Sequence, residues 1–454
     1  MISFLPNGGG NEIGANSYYL NFNGNGIILD CGIHPQRQGI ESLPNFDLIK
    51  DQPVDSCLIS HSHQDHIGSL PFLVKNFPYV KIITTPQTRA LAELTLHNSV
   101  SILKKEIEET DFEFYTHDEV DLLIQMIDYK EYENEFELNS YHQLKDSKVN
   151  CTFYDAGHIL GSAGILLENN NHKIFYTGDI NLAAQTLLNG ATLPETKVDT
   201  LILETTYGAT DSDLLLDWNA ESFRFAKEAN NILNNGGSIL IPVFSLGKMQ
   251  EMLAAIWLLM QKRKLTTVDV YTGGLGTKIN RVYDYNRFVT NRVDEEFELN
   301  TIPQKDYYEI SNPEEFFKHP CIVLASSGMM IKGTASFTFA KRWIKQKDSA
   351  IFTVGYMDDK TPGYVIANSE RGDKIQLTDF DELTEVNCKI KNFKFSAHAR
   401  REDLLMIVEK LKPQNVILTH GDEDALDWMG SAILKNYKNV KVQIAQVGKE
   451  IKLF

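Results

Sequence analysis

Apolar and polar residues follow one another along this chain in short, turn-bounded blocks. Near the N-terminus the apolar runs are "ANSYYLNF", "NGIILDCG" after an Asn-Gly turn, "DSCLIS" and "KIITT". Runs of this kind predict strands. A helix start follows at "SLPFLVKNF", and a longer periodic stretch from Gln87 to Ile107 predicts a helix. A second strand group comes at "SKVNCTFYDAG", "AGILLENN", "HKIFYTGDI" and "DTLILETTYG", the last three approaching polar clusters at their C-terminal ends.

Beyond Gly208 the pattern becomes helices alternating with apolar strands. A helix to about Asn234 precedes the strand "GGSILIPVF", the helix "GKMQEMLAAIWLLMQKR" and the strands "VDVYT", "CIVLAS" and "AIFTVGY". That alternation is the signature of an α/β domain. The last sixty residues return to the first style, with "KIKNFKFSAHA", a helix from Arg401 to Lys412, "NVILTHGD" and a closing helix and strand. This order predicts one domain inserted into another, with segments 1–208 and 395–454 enclosing 209–394.

Composition narrows the class. A chain of 454 residues with 43% hydrophobic content can bury large cores. The start has no basic segment followed by an apolar stretch, and no apolar run approaches the ~18 residues of a membrane span. Cys31, Cys57, Cys151, Cys321 and Cys388 lack Cys-x-x-Cys spacing, which argues against a disulfide framework or a thiolate metal site. A cytoplasmic protein without membrane contact is expected. The net charge of −17 speaks against a polyanionic partner. Yet residues 104–146 hold 14 acids and 4 bases, a net of −10, so only −7 remains elsewhere. This acidic stretch reads as a solvated helical face. Residues 205–395 hold 23 bases and 25 acids and can still offer a basic surface to nucleic acid.

The chemistry concentrates in "LISHSHQDHIGSLPFL", on a strand-to-helix loop. A catalytic triad needs one histidine, whereas imidazoles with a carboxylate suit a borderline-soft cation such as zinc. His61 and His63 can chelate one ion while Asp65 and His66 point to a second. Four ligands cannot complete two ions. Further donors stand at other strand ends: His158 in "DAGHILGSAG", Asp179 in "YTGDI" and His420 in "VILTHGD".

Together with "ILDCG" (Asp30), these stretches resemble the motif set of the metallo-β-lactamase fold, a four-layer αββα sandwich. "ETTYG" (Glu204), "FSAHA" (His398) and "LTHGD" (His420) resemble the added motifs of its β-CASP branch, whose α/β domain would be the insertion at about 209–394. The resemblance extends to "GGSILIPVFSLGKMQEML" and "ASSGMMIKG" and is strongest to RNA-processing nucleases. It implies His61, His63 and His158 on one zinc, Asp65, His66 and His420 on the other, Asp179 bridging them, and Asp30 orienting a ligand histidine. It implies Asp65, Glu204 and His398 as catalytic side chains, with hydrolysis of single-stranded RNA by a hydroxide activated on two zinc ions and His398 as general acid. Turn amides around Ser326, Ser327 and Gly328, with Lys248 and Lys332, are candidate phosphate contacts. RNA preference would come from the cleft or from a protein partner, and a homodimer is compatible with the chain. Relatives often carry an arginine in the loop where this chain has "GYMDDKTPGYVI" and Tyr364.

Three rivals use the same residues: a DNA nuclease of the same superfamily, a small-molecule ester or lactam hydrolase, and a non-catalytic RNA-binding subunit. The insertion suits a threaded strand better than a small ester. No ligand position is degraded, which disfavours a silent subunit. Endo- versus exonucleolytic action stays open.

Overall fold

The computed structural model describes residues 2–106, 115–138, 148–169, 171–355, 357–379 and 381–453. The chain divides into two compact units, one of Met1–Ala183, Gly190–Ser212 and His398–Phe454, the other of Ala184–Asn189 and Asp213–Ala397.

The first unit is built on two sheets. In spatial order, one sheet holds Ile451–Lys452, Ile2–Gly8, Ser17–Phe22, Asn25–Leu29, Ser56–Leu58, Lys81–Thr84 and Asp128–Tyr129. The other holds Lys441–Ile444, Asn415–Thr419, Thr200–Glu204, His172–Tyr176, Ala163–Asn169, Val149–Asp155 and Phe136–Leu138. Successive strand residues point to opposite faces, so a strand apolar at every position must be covered on both. Ile27 and Leu29 accordingly share an inter-sheet core with Phe4, Tyr18, Phe153, Ile174 and Ile202. Ile28, between them, joins Cys57 and Ile82 under Leu70, Leu73, Leu96 and Leu123 of the helices on the outer face. On the second sheet Leu201 and Leu203 turn outward to Leu404, Ile407, Val408 and Met429. The layers are therefore helix, sheet, sheet, helix, the αββα sandwich expected of the metallo-β-lactamase fold.

The second unit carries a parallel six-stranded sheet in the order Lys305–Asp306, Asp269–Thr272, Cys321–Ala325, Ile239–Pro242, Ala350–Val354, Lys389–Phe393. Its core includes Phe316, Val323, Phe339 and Trp343. Two segments differ from the sequence reading. "KIKNF" does not return to the first style but pairs in parallel with Ala350–Val354 at the edge of this sheet. Ala184–Asn189 belongs to the second unit because the buried Glu251 carboxylate accepts from the backbone N–H groups of Thr186 (2.7 Å), Leu187 (2.8 Å) and Leu188 (3.3 Å).

The pattern also left the strand Ile2–Gly8 and the helix Leu275–Tyr285 unread. The acidic stretch lies outside the described residues at 107–114 and 139–147. Its described part is the end of the helix Pro86–Glu106, a helix His117–Met126 started by a capping box between Thr116 and Glu119, and two short strands, so a helical face accounts for only part of it.

Candidate metal centre

Strand direction assembles the site. In the second sheet His172–Tyr176, Thr200–Glu204 and Asn415–Thr419 run parallel, so the residues that follow their C-terminal ends emerge on one edge. Asn25–Leu29 and Ser56–Leu58 are likewise parallel in the first sheet. Asp30, the loop from His61 to His66, His158, Asp179, Glu204 and His420 all stand at or just beyond such ends. His398 is brought to them by the amide of Ala399, which donates to the Ile180 carbonyl at 2.6 Å.

Two donor sets result. His61 Nε2 lies 3.0 Å from His63 Nδ1, and His63 Nδ1 lies 3.2 Å from His158 Nε2. Asp179 Oδ2 faces His61 Nε2 at 3.5 Å and His158 Nε2 at 3.6 Å. On the other side Asp65 Oδ2 lies 3.2 Å from His420 Nε2 and 3.4 Å from His66 Nε2. Asp179 Oδ1 faces His66 Nε2 at 3.5 Å and His420 Nδ1 at 3.4 Å. Asp179 thus turns one oxygen to each set.

These donors fit a metal ion. Four ligands held ~2.0 Å from a tetrahedral zinc stand roughly 3.3 Å apart, and the observed separations cluster there. Converging ring nitrogens have too few protons among them to satisfy one another, and Asp179 Oδ1 is buried without a hydrogen-bond partner. Both His420 (φ 49°) and Asp30 (φ 58°) sit in the left-handed backbone region. Non-glycine residues hold that conformation where the surrounding structure enforces it, often at functional sites.

Electrostatics separate the histidines. Burial pushes the His61 imidazole well below its ordinary value, and the neighbouring His66, His63 and His158 add to the effect against Asp179. For His66 and His420 burial also opposes the charge, but Asp179 and Asp65 outweigh it, raising His66 well above the ordinary value and His420 to about 9. Asp65 and Asp179 are held well below the usual carboxylate range by those histidines, despite burial. Without metal the cluster balances its carboxylates with protons on histidine, a role a divalent cation can take over.

Around the donors lies a supporting layer. Asp30 Oδ2 faces His66 Nδ1 at 2.8 Å and accepts from Tyr176 Oη and Ser60 Oγ, each at 2.7 Å. Such a carboxylate fixes the tautomer and orientation of a ligating ring. Glu204 Oε1 lies 3.0 Å from His398 Nδ1 and accepts from the Ile180 amide at 2.8 Å, while Oε2 accepts from the Thr206 amide at 3.1 Å. Burial lowers the basicity of His398, and the Glu204 carboxylate more than reverses this, so its pKa is raised. The His398 ring lies 4.5 Å from that of His158.

Asn16 was not singled out from the sequence, yet it is fully buried against the second donor set. Its Nδ2 donates to Asp65 Oδ2 at 3.3 Å and lies 3.1 Å from His66 Nε2, while Tyr18 Oη donates to its Oδ1 at 2.8 Å. Its backbone amide donates to the Asp65 carbonyl at 2.9 Å. Thr206 Oγ1, also missed, lies 3.0 Å from His420 Nδ1. Nothing in the spacing of "GANSYYL" marks Asn16, because its role comes from a contact across 49 residues. Asn16→Ala is expected to weaken metal retention on the Asp65 side by about 10- to 100-fold, the usual cost of losing an outer-layer partner. Chelator competition measures it, and unchanged retention would show that the amide does not hold Asp65.

The candidate phosphate contacts all fall in the second unit. Ser326, Ser327 and Gly328 follow the buried strand Cys321–Ala325, where Ser327 Oγ accepts from the Ile331 amide at 3.2 Å and Gly328 packs against Phe244. Lys332 is exposed nearby. Lys248 is buried: its ammonium donates to the Phe395 carbonyl and stands 5.0 Å from the Trp218 ring, and burial pulls its pKa down to about 8. That placement commits Lys248 to an internal partner.

The fold and the facing donor sets define a protein of the metallo-β-lactamase superfamily, and residues 19–206 match the metallo-beta-lactamase superfamily domain. Residues 249–366 match the Beta-Casp domain and 384–445 the Zn-dependent metallo-hydrolase RNA specificity domain. The chain belongs to the β-CASP branch of that superfamily. It is 29% identical to cleavage and polyadenylation specificity factor subunit 3 of Dictyostelium discoideum, over 97% of this chain and 56% of that protein. It is 30% identical to cleavage and polyadenylation specificity factor 73 of Drosophila melanogaster, over 96% and 62%. It therefore spans little more than half the length of these relatives. An RNase J-like protein of Methanocaldococcus jannaschii is 29% identical over 93% of both chains. A crystal structure of a protein of unknown function from Enterococcus faecalis V583 shares the fold, with a TM-score of 0.57, 14% identity and 99% of both chains covered.

Proposed function

We propose that this chain is a zinc-dependent ribonuclease that hydrolyses phosphodiester bonds in single-stranded RNA. The observation that carries the reading is the pair of donor sets sharing Asp179, with the His398–Glu204 pair packed beside them. His61, His63, His158 and Asp179 would hold one ion; Asp65, His66 and His420, faced by the other oxygen of Asp179, would hold the second. Bound zinc supplies Lewis-acid neutralisation of phosphate charge and a water acidic enough to attack at neutral pH.

The chain's own residues do the rest. Glu204, held by two backbone amides, engages His398 Nδ1, so Nε2 is the ring nitrogen that can carry a transferable proton. His398 gives that proton to the departing oxygen as the P–O bond breaks. Ser326, Ser327, Gly328 and Lys332 are proposed phosphate contacts. RNA as substrate is supported by the names of the relatives and by the matched RNA specificity domain. Those names also support a protein partner that helps choose the RNA. No helix among the described residues is long and apolar enough to cross a membrane. Five buried free cysteines favour a reducing compartment such as the cytoplasm.

One preparation tests the reading. Protein purified without chelator is expected to hold two zinc ions per chain and to cut end-labelled RNA but not DNA, with 5′-hydroxyl and 5′-phosphate ends compared for direction. One ion or none after zinc is restored would remove the dinuclear reading. Cleavage of DNA alone would move the protein to the DNA-processing rival.

A further inference from the structure

The helix Leu275–Tyr285 of the second unit buries Gly276, Ile279, Asn280, Tyr283 and Asp284. The opposite stripe, at the i, i+3, i+7 spacing that keeps side chains on one helical face, is Lys278, Arg281 and Tyr285, all exposed. Just past the helix stands Phe288. Tyr285 is 87% exposed and Phe288 53%, and the Arg287 guanidinium lies 4.4 Å from the Phe288 ring centroid.

Residues 294–298 hold four acids, one of them paired with Arg287, whereas 274–293 contain four cations and one acid. That acid, Asp284, is buried and accepts from the amides of Leu299 and Asn300 at 2.8 and 2.9 Å. Arg287 pairs with Glu298 at 2.6 Å and Arg292 is buried. Lys278 and Arg281 form no ion pair among the described residues. Two unpaired cations beside two exposed rings form the combination that holds single strands: phosphates on the cations, bases stacked on the rings.

Resting on the ribonuclease reading above, we infer that Lys278, Arg281, Tyr285 and Phe288 form a surface of the inserted domain that docks single-stranded RNA. It requires no base-specific contact, so it adds length dependence rather than sequence preference. A protein partner or a second copy of this chain would use the rings but would not need both cations unpaired.

The test compares holoenzyme cleavage of a single-stranded RNA of about 16 nucleotides with one of about 4, lengths that bracket known single-strand site sizes. Tyr285→Ala with Phe288→Ala should raise KM for the long RNA about tenfold or more while kcat and the short RNA are unaffected. Tyr285→Phe should restore the ring and the affinity. Lys278→Gln with Arg281→Gln should lower the slope of log affinity against log salt by about 1.4, at ~0.7 per phosphate contact released. An unchanged KM for long RNA overturns the inference, as does an equal loss on both lengths. Loss of a dimer in light scattering on the ring variants overturns it in favour of an interface between copies. If the wild type cuts no RNA, fluorescence anisotropy on the same RNAs decides separately. Binding that the variants abolish keeps the surface and sinks the nuclease; no binding sinks both.

Discussion

Asp179→Asn should empty the metal centre and abolish hydrolysis. Its two carboxylate oxygens face different donor sets, Oδ2 toward His61 and His158 and Oδ1 toward His66 and His420, all between 3.4 and 3.6 Å. Asparagine keeps the shape but replaces one oxygen with an NH2 group that cannot ligate, and removes the charge both ions would share. The effect on metal affinity should exceed the ~10- to 100-fold cost typical of outer-layer changes. Metal analysis after gel filtration should find well under two zinc ions per chain. Circular dichroism should stay native, because the site lies at strand ends and the inter-sheet core is untouched. Two retained ions would show that Asp179 does not bridge. His420→Ala makes the one-sided control: it should lower occupancy on the Asp65 side while the set of His61, His63 and His158 stays intact.

His398→Ala should behave differently, losing turnover by about 10²- to 10⁴-fold while zinc content and RNA affinity stay near wild type. The ring sits against His158 but is engaged by Glu204, and a proton donated to a leaving oxygen matters only in the transition state. Glu204→Gln should lower turnover less. The double variant should then be about as slow as His398→Ala alone, because Glu204 acts through the histidine. Single-turnover kinetics read this directly. Loss of zinc in His398→Ala, or multiplicative defects in the double variant, would dismiss the coupled-acid role.

Much of the candidate site was legible before folding. His61, His63, Asp65 and His66 crowd into one loop, and few structural needs produce that crowding. Asp30, His158, Asp179 and His420 each follow an apolar run, so strand ends could be guessed and their chemistry noticed. Lys248 shows the reverse case. A lysine opening a helix reads as a surface cation, but Gly247 and the helix place it under Trp218 and beside the Phe395 carbonyl. Asn16 and Thr206 carried no signal because hydrogen bonds across 49 and 214 residues leave no trace in local spacing.

The sequence by itself determined which side chains could hold metal, that short apolar runs would make strands, and that an α/β segment interrupts an older pattern. These are local properties: ligand chemistry and backbone periodicity act over a few residues. Only the tertiary structure decided that Asp179 turns one oxygen to each donor set, that Glu204 grips His398, and that Ala184–Asn189 leaves its sequence neighbours for the second unit. Those outcomes depend on parallel register between strands hundreds of residues apart, such as Thr200–Glu204 against Asn415–Thr419. Packing in two different cores fixes that register, since a one-residue slip would send each side chain into the core on the opposite face.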